Sequence, residues 1–287
     1  MLTLAVATRK ETFGRMADPL AERGIEVRHV ETEERTVALT DPDNEWAGFD
    51  VGFVHPSRLM EGGVADALLD VPWVNDRDAI LTSRNKAGVI ARLARAGLPV
   101  PRTTLISNPV DEAALVEVFS RFDPPIVVKP NSTTRGTGVV KITDRDSFLG
   151  VADYLGLIHR NPATGDRSFL VQEYIEDATD YRAMCIDGRY AGAVERRLPD
   201  TARAAGDWKH NVHRGAEATV VDLPENLREI AERTARLLDI PWLGVDLLVT
   251  DDRVVVSETN ARPTIDDETK YEPGFYDELA ALIEAQV

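Results

Sequence analysis

The stretch Gly244-Val-Asp-Leu-Leu-Val-Thr-Asp-Asp-Arg-Val-Val-Val-Ser-Glu-Thr-Asn-Ala-Arg-Pro263 reads as two apolar strands joined by the polar turn Asp251-Asp252-Arg253, a hairpin signature. Glu258 and Asn260, two positions apart, project from one face of their strand. A three-residue turn would set Asp246 opposite Glu258 on that same face. A two-residue turn would rotate Asp246 to the other side unless a bulge restored it. Three oxygen-bearing side chains converging on a packed strand pair suit a hard cation such as Mg²⁺, which takes oxygen ligands and shares them with substrate phosphates. The bland alternative is a solvated edge with three polar residues.

Outward from this hairpin, the chain has 287 residues, 43% of them apolar, enough for two or three modest domains with a common core. It contains no apolar run of about 18 residues, so no membrane span is expected, and the early charge at Arg9-Lys10-Glu11 is unlike a secretory signal. The single cysteine, Cys185, excludes an internal disulfide and fits a reducing, cytoplasmic setting. Acidic residues number 49 against 33 basic, a net charge of −16, and only six of the basic residues are lysine. Such spread acidity disfavours nonspecific nucleic-acid binding and suits solubility in a crowded or salty cytosol; a halophilic source is a guess from composition.

Strand–helix–strand alternation over the first 75 or so residues (strands at 2–7, 25–30, 50–54 and 71–75, a helix at 11–23 closing at Gly24) predicts a small parallel α/β domain. It lacks a Gly-rich dinucleotide fingerprint. The pattern Ser83–Gly97 predicts a helix capped by Ser83, and Pro99 and Pro101 mark a boundary. Further strands are expected at 126–129, 139–142, 169–175, 183–186 and 190–194, the last two joined by the turn dipeptide Asp187-Gly188. Helices are expected at 146–155, 224–238 and 276–285, and residues 196–213 read as a long polar loop.

Three more segments carry chemistry. Val127-Val-Lys-Pro-Asn-Ser-Thr-Thr-Arg-Gly-Thr-Gly-Val139 ends an apolar strand on Lys129 and continues in a loop of small residues, Ser132, Gly136 and Gly138 among them. Its free backbone N–H groups can fold over phosphate oxygens, with the lysine as a point charge; an ordinary hairpin with a snorkelling lysine is the alternative. Gln172-Glu-Tyr-Ile175 could offer a purine the extended backbone of Glu173, Tyr174 and Ile175, and Asp180 could hold a ribose; an edge strand with a charged turn is the plainer view. Residues 195–215 reverse the local charge with Arg196, Arg197, Arg203, Lys209, His210, His213 and Arg214, where anions should collect unless the loop is merely solvated.

Together these segments resemble the ATP-grasp enzymes, and within them the RimK-type carboxylate–amine ligases. Ser83-Arg-Asn-Lys86 with Leu98-Pro-Val-Pro101, Val127-Val-Lys-Pro130 with Gly136-Thr-Gly138, Gln172-Glu-Tyr-Ile175 with Asp180-Tyr-Arg182, Trp208-Lys-His-Asn-Val-His-Arg-Gly215, and Gly244-Val-Asp246 with Glu258-Thr-Asn260 follow the family's order. The departures are Lys209 where Arg is usual, Asn131-Ser-Thr-Thr-Arg135 where Gly and Ser are commoner, and Asn260-Ala-Arg-Pro-Thr for Asn-x-x-Pro-Gly.

The resemblance implies an ATP-grasp fold of the α/β (α+β) class behind a Rossmann-like domain. Its units would be an N-terminal domain (1–97), a central subdomain with the phosphate loop (98–175) and a C-terminal subdomain with the metal site (176–287). It implies ATP with one or two Mg²⁺ (Mn²⁺ substituting), held by Asp246, Glu258 and Asn260. Lys86, Lys129, Ser132, Gly136, Gly138, Glu173, Tyr174, Ile175, Asp180, Lys209 and Asn211 would bind nucleotide, and Arg196, Lys209 and Asn211 would face the reacting groups. The implied reaction joins a carboxylate, through an acyl phosphate, to an amino-acid amine. Glutamate is the favoured amine, and a protein C-terminus or small molecule the acceptor. An amino-acid carrier-protein ligase, an ATP-dependent kinase and a nonhydrolysing ATP sensor stand as alternatives. A homodimer or tetramer would agree with the family.

Overall fold

The computed structural model describes residues 1–7, 10–40, 44–133, 136–161, 165–209 and 215–287. The chain opens with β1 (Leu2–Val6), α1 (Lys10–Ala21), β2 (Ile25–His29), β3 (Val51–Val54), α2 (Leu59–Leu69) and β4 (Trp73–Asn75). These strands form a parallel sheet in the order β2-β1-β3-β4. The spacing of this first unit missed α2, whose Glu61-Gly-Gly63 interrupts the helical signal. Gly62 is there for space: a Cβ would lie 2.4 Å from His55 Cε1.

Where one helix from Ser83 was expected, two are found, α3 (Arg77–Arg84) and α4 (Lys86–Arg95). Asn85 breaks them: its side-chain oxygen accepts from Gly88 N at 3.0 Å and caps α4. Ser83 caps nothing. Its hydroxyl accepts from Ala261 N and meets Thr259 Oγ1, both at 3.1 Å, pinning the far end of the 244–263 hairpin.

The second sheet is antiparallel, in the order β5-β8-β6-β7: β5 (Thr103–Ser107), β6 (Ile126–Pro130), β7 (Val140–Ile142) and β8 (Ser168–Glu173). The helices α5 (Glu112–Ser120) and α6 (Arg145–His159) are capped by Asp111 and Asp144 and pack over one face. Ile126, Val128, Phe148 and Phe169 form that core. Strand β5 and helix α5 had no counterpart in the sequence reading.

The third sheet is antiparallel in the order β11-β10-β9-β12-β13: β9 (Thr179–Ile186), β10 (Arg189–Arg197), β11 (Glu217–Val220), β12 (Trp242–Val249) and β13 (Val254–Asn260). Strands β9 and β10 turn at Asp187-Gly188, both at positive φ, as that dipeptide predicts. The stretch expected to be a loop from Arg196 is corrected: Arg196 and Arg197 belong to β10, because they pair with Ala218 and Glu217, and Asp200–Ala204 forms the short helix α7. Helices α8 (Glu225–Leu238) and α9 (Phe275–Glu284) complete the chain.

The first and third sheets share one apolar core, which includes Leu4, Phe53, Val74, Trp242, Leu243 and Leu279. Asn75 ties them. It is fully buried, donates to the Trp242 and Ala261 carbonyls at 2.6 and 2.7 Å, and accepts from Trp242 N at 3.0 Å. Losing it would strand three buried backbone groups, at about 1–3 kcal/mol each. Cys185 is buried in this core, and desolvation pushes its thiol up to about 12, which makes it a packing residue.

Candidate active site

The hairpin closes through a two-residue turn. Thr250 N donates to Arg253 O at 2.9 Å around Asp251-Asp252, so of the two turn lengths weighed the shorter one is found, the one that needs a bulge. Val249 pairs with Val254 and Leu247 with Val256, a register that would put Asp246 opposite Ser257. A bulge at Ser257 inserts one residue, and from there Asp246 pairs with Glu258 and Gly244 with Asn260. Leu247 and Val256 stay in the core, while the carboxylates of Asp246 and Glu258 turn to the opposite face. The bulge carbonyl is used too: Lys129 Nζ donates to Ser257 O at 3.4 Å.

Register extends the same face across the third sheet. Arg182 lies opposite Asp246, Asp180 opposite Leu248 and Arg196 opposite Asp180. Facing them is a row of the second sheet, Lys141–Val127–Gln172, with Lys129 one row along β6. Between these two faces is a cavity of about 610 Å³, in the range of small-molecule sites, about 300–1,000 Å³. Its lining includes Lys129, Lys141, Tyr174, Arg196, Asp246 and Glu258.

Of the anticipated binding residues, Lys129, Gly136, Glu173, Tyr174, Ile175, Asp180, Arg196, Lys209, Asp246 and Glu258 line this cavity. Lys86, the first residue of α4, reaches it through Glu258 Oε1 at 3.2 Å and donates to the Thr133 carbonyl. Ser132 is not in the lining; its hydroxyl bonds the Asp166 carboxylate. Gly138 has φ +75° and lies against Pro130, where a Cβ would come within 2.8 Å of Cγ, so it shapes the loop. Asn260 also stands off the lining, its Oδ1 accepting from Arg262 N at 2.9 Å. Tyr174 and Ile175 have left strand β8, which ends at Glu173. Asn211, His210, His213 and Arg214 lie outside the described residues, as do Thr134 and Arg135.

The electrostatics divide by sheet. Lys129 is buried in β6, and desolvation drives its ammonium down to about 8, with Glu258 and Asp246 pulling it up and Lys86 pushing it further down. Asp246 is buried as well, which alone would raise its pKa. Arg182 and Arg196 outweigh burial and hold the carboxyl well below the usual carboxylate range. Arg182 grips it by two parallel bonds, Nε to Oδ1 at 2.7 Å and Nη2 to Oδ2 at 2.8 Å, the bidentate geometry of strong pairs. Arg196 bridges Asp246 Oδ2 at 3.0 Å and Asp180 Oδ1 at 2.5 Å. Glu173 is also raised by burial, but Arg253 at 2.8 Å and the Arg102 amide at 2.6 Å bring it below its ordinary value.

Among the lining residues missed as site residues are Lys141, Trp208 and Leu248. Lys141 holds its Nζ 4.7 Å from the Tyr174 ring centroid, and Trp208 meets Tyr174 edge-on at 5.8 Å. Leu248 adds an apolar wall. Two-residue alternation with Val139 could have flagged Lys141. Arg182 was quoted only as part of a motif.

Residues 83–274 match the RimK-like ATP-grasp domain. The chain belongs to the RimK-like ATP-grasp family. It is 34% identical over 196 residues to a probable alpha-L-glutamate ligase of Enterobacter sp. (strain 638), covering 67% of this chain and 60% of that protein. Over the same shares it is 33% identical to a ribosomal protein bS6–L-glutamate ligase of Shigella boydii serotype 4 (strain Sb227). The chain thus spans about 60% of the length of these curated relatives. In overall fold it is similar to the D-cycloserine synthetase DcsG, with a TM-score of 0.76 at 19% identity over 98% of this chain and 99% of that one. It is also similar to a RimK domain ATP-grasp protein from Sphaerobacter thermophilus DSM 20745, with a TM-score of 0.68 at 20% identity over 99% of both chains. The architecture is the ATP-grasp fold, two facing sheets behind a parallel α/β sheet. Among the described residues no helix is long and apolar enough to cross a membrane.

Proposed function

We propose that this protein is an ATP-dependent carboxylate–amine ligase that joins glutamate, through its amine, to a carboxylate-bearing acceptor, either a protein C-terminus or a small molecule. The observation that carries this reading is the cavity itself. Buried Lys129 and the cations Lys141, Arg196 and Lys209 face it together with Asp246 and Glu258. An anion with a divalent counter-ion would complement that mixture. Relatives named as glutamate ligases support the choice of amine.

Lys129 and Lys86 would neutralise phosphate charge, and residues 132–138 would cover the phosphates. The backbone of Glu173–Ile175 would take the base, and Asp180 the ribose. Lys209 and Asn211 would face the γ-phosphate. The acceptor carboxylate oxygen attacks the γ-phosphorus and ADP departs. The amine nitrogen then attacks the acyl carbon, loses a proton, and phosphate leaves. Positioning and charge neutralisation dominate such a transfer, and Arg196 would stabilise the developing negative charge.

The donor set fits Mg²⁺. Asp246 and Glu258 present oxygen to the cavity from paired positions, and Asn260, one step along, would complete the ligands. When bound, the ion would neutralise charge between the β- and γ-phosphates. We place the unit boundaries at 97/98 and 175/176; the second sheet runs from Thr103 to Glu173 and the third from Thr179 to Asn260, within those limits.

An amine screen tests the reading: purified protein, Mg-ATP and candidate carboxylates, with products identified by mass spectrometry. An amide of glutamate, with phosphate release requiring both substrates, is expected. A stable phosphorylated product, or nucleotide uptake without turnover across the panel, would sink it.

A further inference from the structure

On the cavity face of the third sheet each of three acidic side chains is already held by a cation. Asp180 is held by Arg196, Asp246 by Arg182 and Arg196, and Glu258 by Lys86. The two arginines on Asp246 differ. Arg196 is anchored twice, by Asp180 as well as Asp246, and its side chain is 9% exposed. Arg182 is 28% exposed, and among the described residues Asp246 is its one carboxylate partner. Its other cross-strand neighbour is Val194, which offers no competing bond.

We propose that Arg182 stands in for the divalent cation on Asp246, so that metal enters only together with nucleotide and displaces Arg182 as it does. This rests on the ligase reading, in which Asp246 is a metal ligand. Both Asp246 oxygens are engaged by Arg182, and a hard cation needs those same oxygens. Among the described residues no group of three or more His, Cys, Asp or Glu is placed to hold a metal ion, so a metal arriving alone meets too few free donors. A divalent ion added beside the two arginines already on Asp246 would also build up buried positive charge unless negative charge came with it. Triphosphate supplies both the missing oxygens and that charge. Arg182, once displaced, keeps its guanidinium beside the cavity, free for an anionic group of the reactants. Arg182 is therefore a positioning residue that sets the order of binding.

Mn²⁺ is the probe, its free fraction followed by electron paramagnetic resonance in titrations of the full chain with and without a nonhydrolysable ATP analogue. In the wild type, Mn²⁺ should bind at least tenfold more weakly without the analogue than with it. Arg182→Met should gain threefold or more in Mn²⁺ affinity without the analogue, and Arg182→Lys, which keeps the charge, should gain less than Arg182→Met. Equal Mn²⁺ affinity in the wild type with and without analogue would overturn the proposal, and this arm decides alone if Arg182→Met does not fold. A folded Arg182→Met protein that gains less than threefold would overturn it as well. Analogue uptake by the wild type separates the two readings: none at all defeats the ligase reading, whereas uptake alongside nucleotide-independent Mn²⁺ binding defeats only the role of Arg182.

Discussion

The two walls of the cavity handle charge in opposite ways. On the central wall, Lys129 sits at the end of an apolar strand, buried and pushed down to about 8 by desolvation. On the C-terminal wall Asp180, Arg196 and Asp246 are as deeply buried but closed on one another, and with the more exposed Arg182 they form a chain of ion pairs. Burial disfavours an isolated charge and leaves it awaiting a partner from outside. A buried pair carries its partner with it, and its cost appears only when one member is removed. The central wall is therefore the side with charge to offer an incoming anion, and the C-terminal wall is the side that must rearrange.

This contrast breaks if stability responds alike on both sides. Asp246→Ala leaves two guanidinium groups facing a void and should cost about 3–5 kcal/mol of folding stability. Lys129→Met removes a desolvated charge and keeps the volume, so it should leave stability unchanged or raise it. Chemical denaturation of the two variants checks this, and a large loss for Lys129→Met would erase the distinction.

Activity should sharpen the comparison. Glu258→Ala and Lys129→Ala should each lose about 2–4 kcal/mol of transition-state stabilisation, by analogy with a removed oxyanion donor, while circular dichroism shows the fold retained. Normal phosphate release from either variant would show that the cavity is not the site of reaction.

The hairpin shows how far the site was legible in sequence. Asp246, Glu258 and Asn260 stood out because polar residues alternate within apolar strands, and alternation maps directly onto faces. The bulge that makes Asp246 and Glu258 meet entered only as the condition a two-residue turn would need, and its place was not legible. Ser257 carries no bulge signature, and turn length sets register by parity, so an error of one residue reverses a strand. The pairing of Asp246 with Arg182 spans 64 positions and depends on strand order, which residue spacing does not contain. Helix α2 was hidden by glycine required for the His55 ring, and β5 by an edge position and the exposed Leu105. In the parallel N-terminal sheet β1 and β3 were readable because they are nearly continuous apolar runs.

Two smaller effects probe the central wall. Gly138→Ala forces a side chain into positive φ against Pro130 and should cost about 1–3 kcal/mol, seen as a lower melting temperature. The pH response follows from Lys129. Its folded pKa, about 8, lies below the unfolded value of about 10.4. Between those values the unfolded chain binds more protons, so this group makes stability rise with pH there. Nucleotide affinity should move the other way, falling up to about tenfold per pH unit above 8 as the ammonium is lost. Titrations in buffers of different ionisation enthalpy at pH 8.5 should show proton uptake on binding, and Lys129→Met should abolish it.

The proposed activity depends on a nucleotide held between the second and third sheets, and calorimetry with a magnesium complex of a nonhydrolysable ATP analogue tests that most directly. One site per chain is expected, weakened tenfold or more by Lys129→Met. No heat of binding in the wild type, or equal affinity in the two proteins, would contradict it.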